Sequence, residues 1–450
     1  MSDIPQSRAQ DARYAGSAYG ATVELFLRIR AIGFAMIRQH VNVRAGFVDT
    51  VWAEMRTDAV CPPAVVPLVS RATLLSVSPL AAQSAPAAAR AFDRTLLLEP
   101  DGATSAGVSL GDIDRDGDLD IVLAKGRHWP LQDIVLRNDG RGHFSAEPLR
   151  DEPDRTYSAA LADLDGDGDL DVVSSNDRPD QKLVYLNDGN GYFRVASTFG
   201  APEWSTRYVT VADLNGDGRP DLIAANRSGA TSGGKPSFVC LNDGRGAFPV
   251  CTPLATQSAT IIVAADLDRD GAVDLFVPHH DGGRNLVFYN EGHGLFGAPP
   301  AAIGPEHSSI RAAAAADIDG DGVVDLFVGD VDAGLFVYLG TDGGRRFAEP
   351  VALSAGDVAP GAVAIADLNR DGLPDLVVGN DRLPGVLLFN QGAGSALRFV
   401  TAAWNDGLGS VYAIAIGDLD GDGWPDIAAA RSDAPNALWF SGASSRPPPR

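Results

Sequence analysis

Seven short aspartate clusters recur along this chain at a nearly fixed interval. Their first members are Asp112, Asp163, Asp213, Asp266, Asp317, Asp367 and Asp418, spaced by 51, 50, 53, 51, 50 and 51 residues. A period of this size, held over seven copies, means one supersecondary unit repeated in space. Seven periods of about 51 need roughly 357 residues, and the stretch from Ala91 to the C-terminus supplies that and little more.

Every period has the same internal grammar. An Ala/Val-rich stretch, such as Ala159–Ala162, leads into the Asp cluster. A β-branched run follows, such as Asp171-Val172-Val173 or Asp375-Leu376-Val377-Val378. After a variable polar segment comes an apolar run ending in Asn-Asp-Gly, as in Leu183–Gly189, and then a Gly-x-Phe step, Gly191-Tyr192-Phe193, that opens one more extended segment. Four short strands per period, each pair joined by turn residues, are the blades of a β-propeller. The fold class predicted is all-β: a seven-bladed propeller with four-stranded blades. The small residues suit the innermost strand, where the blades crowd round a central channel. Ala312–Ala316 reads as helix by propensity alone, but its place in the period assigns it to an inner strand.

The last period stops near Phe440, after its third strand, Ala437–Phe440. Upstream of the first cluster, Phe92–Leu98 has the character of a fourth strand, with Phe92 where other periods have Phe144 or Phe193. This N-terminal strand is therefore expected to complete the last blade and remove two exposed sheet edges. The domains that follow are 1–90, an irregular leader (a signal, a disordered stretch or a short helix); 91–442, the propeller; and 443–450, a disordered tail with Pro447-Pro448-Pro449. Within the leader, Val23–Ile37 is too short and too charged to span a bilayer. Arg56 precedes a mostly apolar run, Ala64–Leu80, ending in small residues at Ala81–Ala85. That run reads either as a degenerate secretory signal with an internal start or as a leader without function. Cys240 and Cys251 flank a tight turn and are open to two readings, a disulfide or two free thiols.

The clusters follow D-x-[DN]-x-D-G-x-x-D. The first reads Asp112, Asp114, Asp116, Gly117, Asp120, and the second Asp163, Asp165, Asp167, Gly168, Asp171. The third is Asp213, Asn215, Asp217, Asp221; the fourth Asp266, Asp268, Asp270, Asp274; the fifth Asp317, Asp319, Asp321, Asp325. The sixth is Asp367, Asn369, Asp371, Asp375, and the seventh Asp418, Asp420, Asp422, Asp426. Alternate residues of a tightly curled loop turn their oxygens inward, and hard oxygens in a flexible array suit calcium better than magnesium. Side chains at positions 1, 3, 5 and 9 are expected to coordinate. At position 7 the backbone carbonyl of Asp118, Asp169, Arg219, Ala272, Val323, Leu373 or Trp424 would join them. An EF-hand needs flanking helices and a Glu at position 12, where this chain has Leu123, Ser174 and Val277. Turn-building alone explains one or two copies but not four converging carboxylates, since two unit charges 4 Å apart repel by about 4 kcal/mol at an effective dielectric near 20. Up to seven calcium ions are expected. The net charge of −23 argues against nucleic acid as a partner.

These features resemble the FG-GAP/VCBS repeat family, whose propeller is shared by the N-terminal region of integrin α chains. The resemblance rests on the Asp loops and on the Asn-Asp-Gly-x-Gly-x-Phe turns Asn138–Phe144, Asn187–Phe193 and Asn242–Phe248. Phe199-Gly200-Ala201-Pro202 and Phe296-Gly297-Ala298-Pro299 add to it. It covers about residues 92–440 and departs in the fifth blade, where Gly340-Thr341-Asp342 replaces the Asn-led turn. The resemblance implies a calcium-stabilised extracellular scaffold, secreted or periplasmic, and transfers no ligand and no enzymatic activity.

In such a blade the metal loops and Asn-Asp-Gly turns share one face, and the variable 2–3 and 4–1 connections form the other, where specificity is expected. Five residues beyond the last Asp of each loop stand Lys125, Asn176, Asn226, His279, Asp330, Asn380 and Arg431, all polar and expected by symmetry to ring the channel mouth. Trp129, Tyr157, Trp204, Tyr208, Trp404 and Tyr412 lie nearby in sequence. Polar groups beside aromatic platforms suit a glycan or an extracellular protein; the bland alternative is that the Asn residues cap turns and the aromatics pack between blades. A carbohydrate-active lyase or dehydratase is the enzymatic alternative, with His128, His279, His280 and His307 beside Arg227 or Arg431 as candidates, although no nucleophile–base motif supports it.

Overall fold

A computed structural model describes residues 91–227, 236–255, 258–353, 358–392 and 397–442, and the backbone of three strands farther upstream. The chain divides into two compact units, 1–81 and 82–450. In the first, Ala21–Leu25, Met36–Arg44 and Phe47–Arg56 pair antiparallel in chain order. The signal-like run and the proline tail lie outside the described residues.

The second unit contains seven four-stranded antiparallel sheets, six of them hydrogen-bonded in the order of the chain and the last completed by the strand that precedes the first blade. Blade 1 is representative: Ser105–Gly111 is innermost, followed outward by Asp120–Lys125, Ile134–Asn138 and Phe144–Pro148. Ile310–Ala316 is the inner strand of blade 5 despite its alanine run, with Ile310 and Ala313 packed in the core cluster shared with blade 4. In blade 7, Ser410–Gly417, Asp426–Ser432 and Ala437–Gly442 are completed by Ala91–Leu97, with Leu438 opposite Leu96 and Trp439 opposite Thr95. The ring closes as the sequence anticipated.

Each second strand is apolar on both faces because it packs against two neighbours. Val172 and Val173 are adjacent in sequence, point to opposite faces and are both fully buried. Val172 joins the cluster shared by blades 1 and 2, and Val173 the cluster shared by blades 2 and 3. Seven such clusters among the described residues fill the seven blade junctions. At roughly 1.5–3 kcal/mol for each fully buried Val, Leu, Ile or Phe, the junctions carry most of the apolar stabilisation. Cys240 and Cys251 face each other across the outer hairpin of blade 3 and form a disulfide.

Candidate functional site

The Asp loops, the candidate metal sites, join the first strand of each blade to the second, and their geometry repeats. In blade 1 both carboxylate oxygens of Asp112 accept backbone hydrogens, from Asp116 and from Gly117, each at 3.1 Å. Asp116 accepts from Asp118 at 2.9 Å. Gly117 sits at φ 96°, a left-handed conformation that disfavours a side chain. Asp120 anchors the curl from below: its Oδ2 accepts from Ile113 N at 3.1 Å and its Oδ1 from Asn138 N at 2.8 Å. The second hydrogen bond ties the metal loop to the Asn-Asp-Gly turn of the same blade. Asp171, Asp221, Asp274, Asp325, Asp375 and Asp426 each accept the same pair of backbone donors.

In five loops the carboxylates at positions 1, 3 and 9 bring oxygens within 4.8 Å of one another: Asp112, Asp114 and Asp120; Asp163, Asp165 and Asp171; Asp266, Asp268 and Asp274; Asp317, Asp319 and Asp325; Asp418, Asp420 and Asp426. Loops 3 and 6 have Asn215 and Asn369 at position 3. Their amides donate to Asp217 and Asp371 at 3.1 and 2.9 Å, so these loops offer a cation less charge.

The donor set fits a hard divalent cation. Burial pushes Asp120, Asp171, Asp274, Asp325 and Asp375 up to about 6, and Asp426 to about 7, against their backbone hydrogen bonds. Asp221 is raised for the same reason. The buried Oδ1 of Asp114 and the buried Oδ1 of Asp268 make no hydrogen bond. A cation would satisfy these oxygens and favour the ionised carboxylates. Positions 1, 3 and 9 would hold it, with position 5 at the exposed rim.

Arginines are woven between the loops, a feature the sequence pattern did not reveal. Arg115, Arg269 and Arg370 occupy position 4 at φ 63°, 63° and 57°, where the other four loops have Gly166, Gly216, Gly320 and Gly421. Arg115 pairs with Asp169 in the next loop, and Arg370 lies 4.6 Å from the ring centre of Trp424, again one loop on. Three position-3 carboxylates have an arginine partner from outside their own loop. Arg137 reaches Asp114 at 3.1 Å, Arg345 reaches Asp268 at 2.5 Å, and Arg94 pairs with Asp420.

At the opposite ends of the inner strands a cavity of about 140 Å³ opens in the channel. All seven blades line it through one position, the sixth residue before the first loop Asp. Tyr157, Arg207, Arg311 and Tyr412 are its large members, and Ala106, Thr260 and Gly361 its small ones. In six blades the pairing register slips here, so that Ala106, Tyr157, Arg207, Arg311, Gly361 and Tyr412 have no direct cross-strand partner. Such a bulge re-aims a side chain. Six residues of strand separate cavity from metal loop, about 20 Å. The signal was present in the sequence as a fixed offset on the N-terminal side of each loop.

The polar residues on the C-terminal side do not line this cavity. They end the second strand, one strand away from the channel, and brace their own connections. Asn176 donates to Gln181 O, Asn226 to Pro236 O and Asn380 to Pro384 O, each at 2.7 Å. Arg431 donates to Pro435 O and pairs with Asp406, Lys125 pairs with Glu99, and Asp330 accepts from Ser309, Asp332 and Ala333. Six of the seven are buried, and His279 is half-buried beside Gly283. Of the histidine and arginine candidates, His128, His280 and Arg227 meet in the cavity, whereas His279, His307 and Arg431 do not. Trp204 stacks on Phe238 at 3.9 Å, and Trp404 packs edge-on against Trp439 at 5.0 Å, so both serve the core. Trp129 is 70% exposed at the rim.

Five segments, 112–174, 163–224, 266–328, 317–378 and 367–429, match the model of the FG-GAP-like repeat, together spanning more than half of the chain. The chain belongs to the FG-GAP-like repeat family. Among solved structures, the crystal structure of BBS1N in complex with ARL6DN, soaked with mercury, is similar at a TM-score of 0.52 and 13% identity, covering 78% of this chain and 96% of that one. The lead-soaked form gives 0.53 and 12%, covering 80% and 98%. At that identity the likeness concerns the fold alone. A comparison with curated protein sequences finds no match. Among the described residues no helix is long and apolar enough to cross a membrane.

Proposed function

We propose that this chain is a calcium-stabilised binding scaffold, secreted or periplasmic, whose ligand meets the variable-loop face. The observation that carries the reading is the repeated carboxylate triad with its buried ninth-position Asp, 0% exposed in five of the seven loops and 1% in the other two. Carboxylates held this close and this dry favour the folded ring only when a cation neutralises them, so metal affinity becomes folding free energy. The Cys240–Cys251 disulfide supports an oxidising compartment. Calcium affinity in the extracellular range of about 10⁻⁴–10⁻³ M would agree with it.

The metal loops and the channel cavity occupy opposite ends of the inner strands, so the ions hold the blades and leave the other face for recognition. A glycan is the ligand favoured by the Arg and Tyr side chains there. The BBS1N complex, in which a related architecture accompanies a protein, supports a protein as the alternative. Glycan arrays and pull-down of secreted proteins, each with and without calcium, test the reading; binding unaffected by Tyr157→Ala, Tyr412→Ala and Trp129→Ala together contradicts a ligand at this face. The convergence of His128, His280 and Arg227 keeps a carbohydrate-active enzyme as the second reading, checked by turnover of acidic polysaccharides with His280→Ala as the control.

A further inference from the structure

The channel mouth is cationic in a chain whose net charge is −23. Arg127, Arg207, Arg227 and Arg311 all line the cavity. Two carboxylates answer them: Asp177 lies 2.9 Å from Arg207, and Asp281 lies 2.7 Å from Arg227. Arg127 and Arg311 have no carboxylate within ion-pair distance among the described residues; both lie beside the Tyr412 ring, at 3.9 and 5.7 Å from its centre. Arg207 stacks on Tyr157 at 4.1 Å. The Arg207 side chain is only 9% exposed, yet its Nε makes no hydrogen bond, and the buried Nε of Arg127 makes none either. Buried guanidinium donors without acceptors are costly unless something supplies oxygen.

We propose that this mouth binds the oxyanion of an acidic ligand, a carboxylate- or sulfate-bearing sugar, with Arg127, Arg207 and Arg311 holding the anion and Tyr157 and Tyr412 flanking it. The planar guanidinium fork matches a two-oxygen anion, and tyrosine rings fix the forks in place. An adjoining groove of about 410 Å³ shares Arg127, His128 and Tyr412 with the cavity and runs past the exposed Trp129. It gives the uncharged remainder of a sugar a place outside the cationic pocket. The positive field is also felt by the histidines: burial first, then the neighbouring arginines, lowers His128 and His280. The proposal rests on the reading of this face as the ligand face.

The test is calorimetric titration of the calcium-loaded full chain with glucuronate oligosaccharides, sulfated oligosaccharides, inorganic sulfate and a neutral oligosaccharide of equal length. Saturable 1:1 binding of an acidic sugar, weakening with added salt and falling at least tenfold in Arg311→Gln, is the expected result. Arg311 has no ion-pair partner to lose, so that variant keeps the fold; Arg207→Gln should act in the same direction. Arg194→Gln, on the exposed outer strand of blade 2, should change nothing. Acidic and neutral sugars binding alike, or acidic-sugar binding that survives Arg311→Gln, overturns the anion site. Neutral-sugar binding abolished by Trp129→Ala would then show that the face still recognises ligand, separating failure of this proposal from failure of the scaffold reading.

Discussion

The side-chain amide of Asn138 donates to the carbonyl of Leu419 at 2.9 Å, across 281 residues of chain. It joins the outer turn of blade 1 to the metal loop of blade 7, at the seam where the ring closes. The bond recurs round the propeller: Asn187 to Ile113, Asn242 to Leu164, Asn290 to Leu214 and Asn390 to Ile318, at 2.7 to 2.9 Å. Each Asn also donates its backbone N–H to the ninth-position carboxylate of its own loop. One turn residue therefore couples two neighbouring metal loops. Asn138→Ala should cost about 1–3 kcal/mol, because it strands the Leu419 and Leu119 carbonyls. Denaturant unfolding in saturating calcium checks it, and an unchanged midpoint would remove Asn138 from this role.

Blade 5 lacks the Asn and closes its junction differently. Gly344, at φ 89°, sits so close to Leu267 that a Cβ would fall 1.5 Å from the Leu267 carbonyl oxygen. A short 3-10 turn, Asp342–Gly344, makes the approach. Gly344→Ala is expected to destabilise by more than about 2 kcal/mol through backbone strain and displacement, whereas Gly343→Ala, with open space around it, should cost clearly less. Equal melting temperatures for the two variants would contradict the contact.

The exposed guanidinium of Arg345 would compete with a bound cation for Asp268. Arg345→Gln should tighten calcium binding at loop 4 several-fold, since a unit positive charge near the site is removed. Calorimetric titration resolves it; weaker binding would mean that Arg345 positions the loop rather than opposing the ion.

Asp133 is buried beside Lys125 N and Thr156 Oγ1, each donating to it at 2.8 Å, and burial pushes it up to about 7. That lies above the ~3.9 of an unfolded aspartate, so the folded protein takes up a proton. The stability it contributes is present below about pH 4 and is lost as pH rises through about 7, by at most about 4 kcal/mol. Asp133→Asn should flatten this fall. Melting temperatures in saturating calcium at pH 5 and pH 8 decide it, and parallel profiles for the two proteins would count against it.

The repeat made the architecture readable because each blade must solve the same packing problem. The period placed the inner strand at Ala312–Ala316 against its helical propensity, and the loss of a fourth strand after Phe440 pointed to Phe92–Leu98 as the closing one. The metal positions were legible because alternation in a curled loop leaves few choices. Recognition residues were less so. Asn176 and Asn380 looked like rim residues because they are polar and recur, yet a buried strand end also demands polar braces. Tyr157, Arg207, Arg311 and Tyr412 share an offset but not a chemistry, and the bulge that turns them into the channel has no sequence signature of its own. The arginine pairs between loops depend on distances across blades, which no single period encodes.

Calcium is the most direct test of the whole account. Titration of the full chain, stripped with chelator, should show five ions bound at the all-Asp loops, with weaker occupancy of the Asn215 and Asn369 loops. The melting temperature should fall steeply in chelator and recover on calcium addition. Asp171→Asn should remove one ion and part of that recovery. A chain that binds no calcium, or melts identically with and without chelator, would contradict the claim that the Asp loops are the cation sites holding the propeller together.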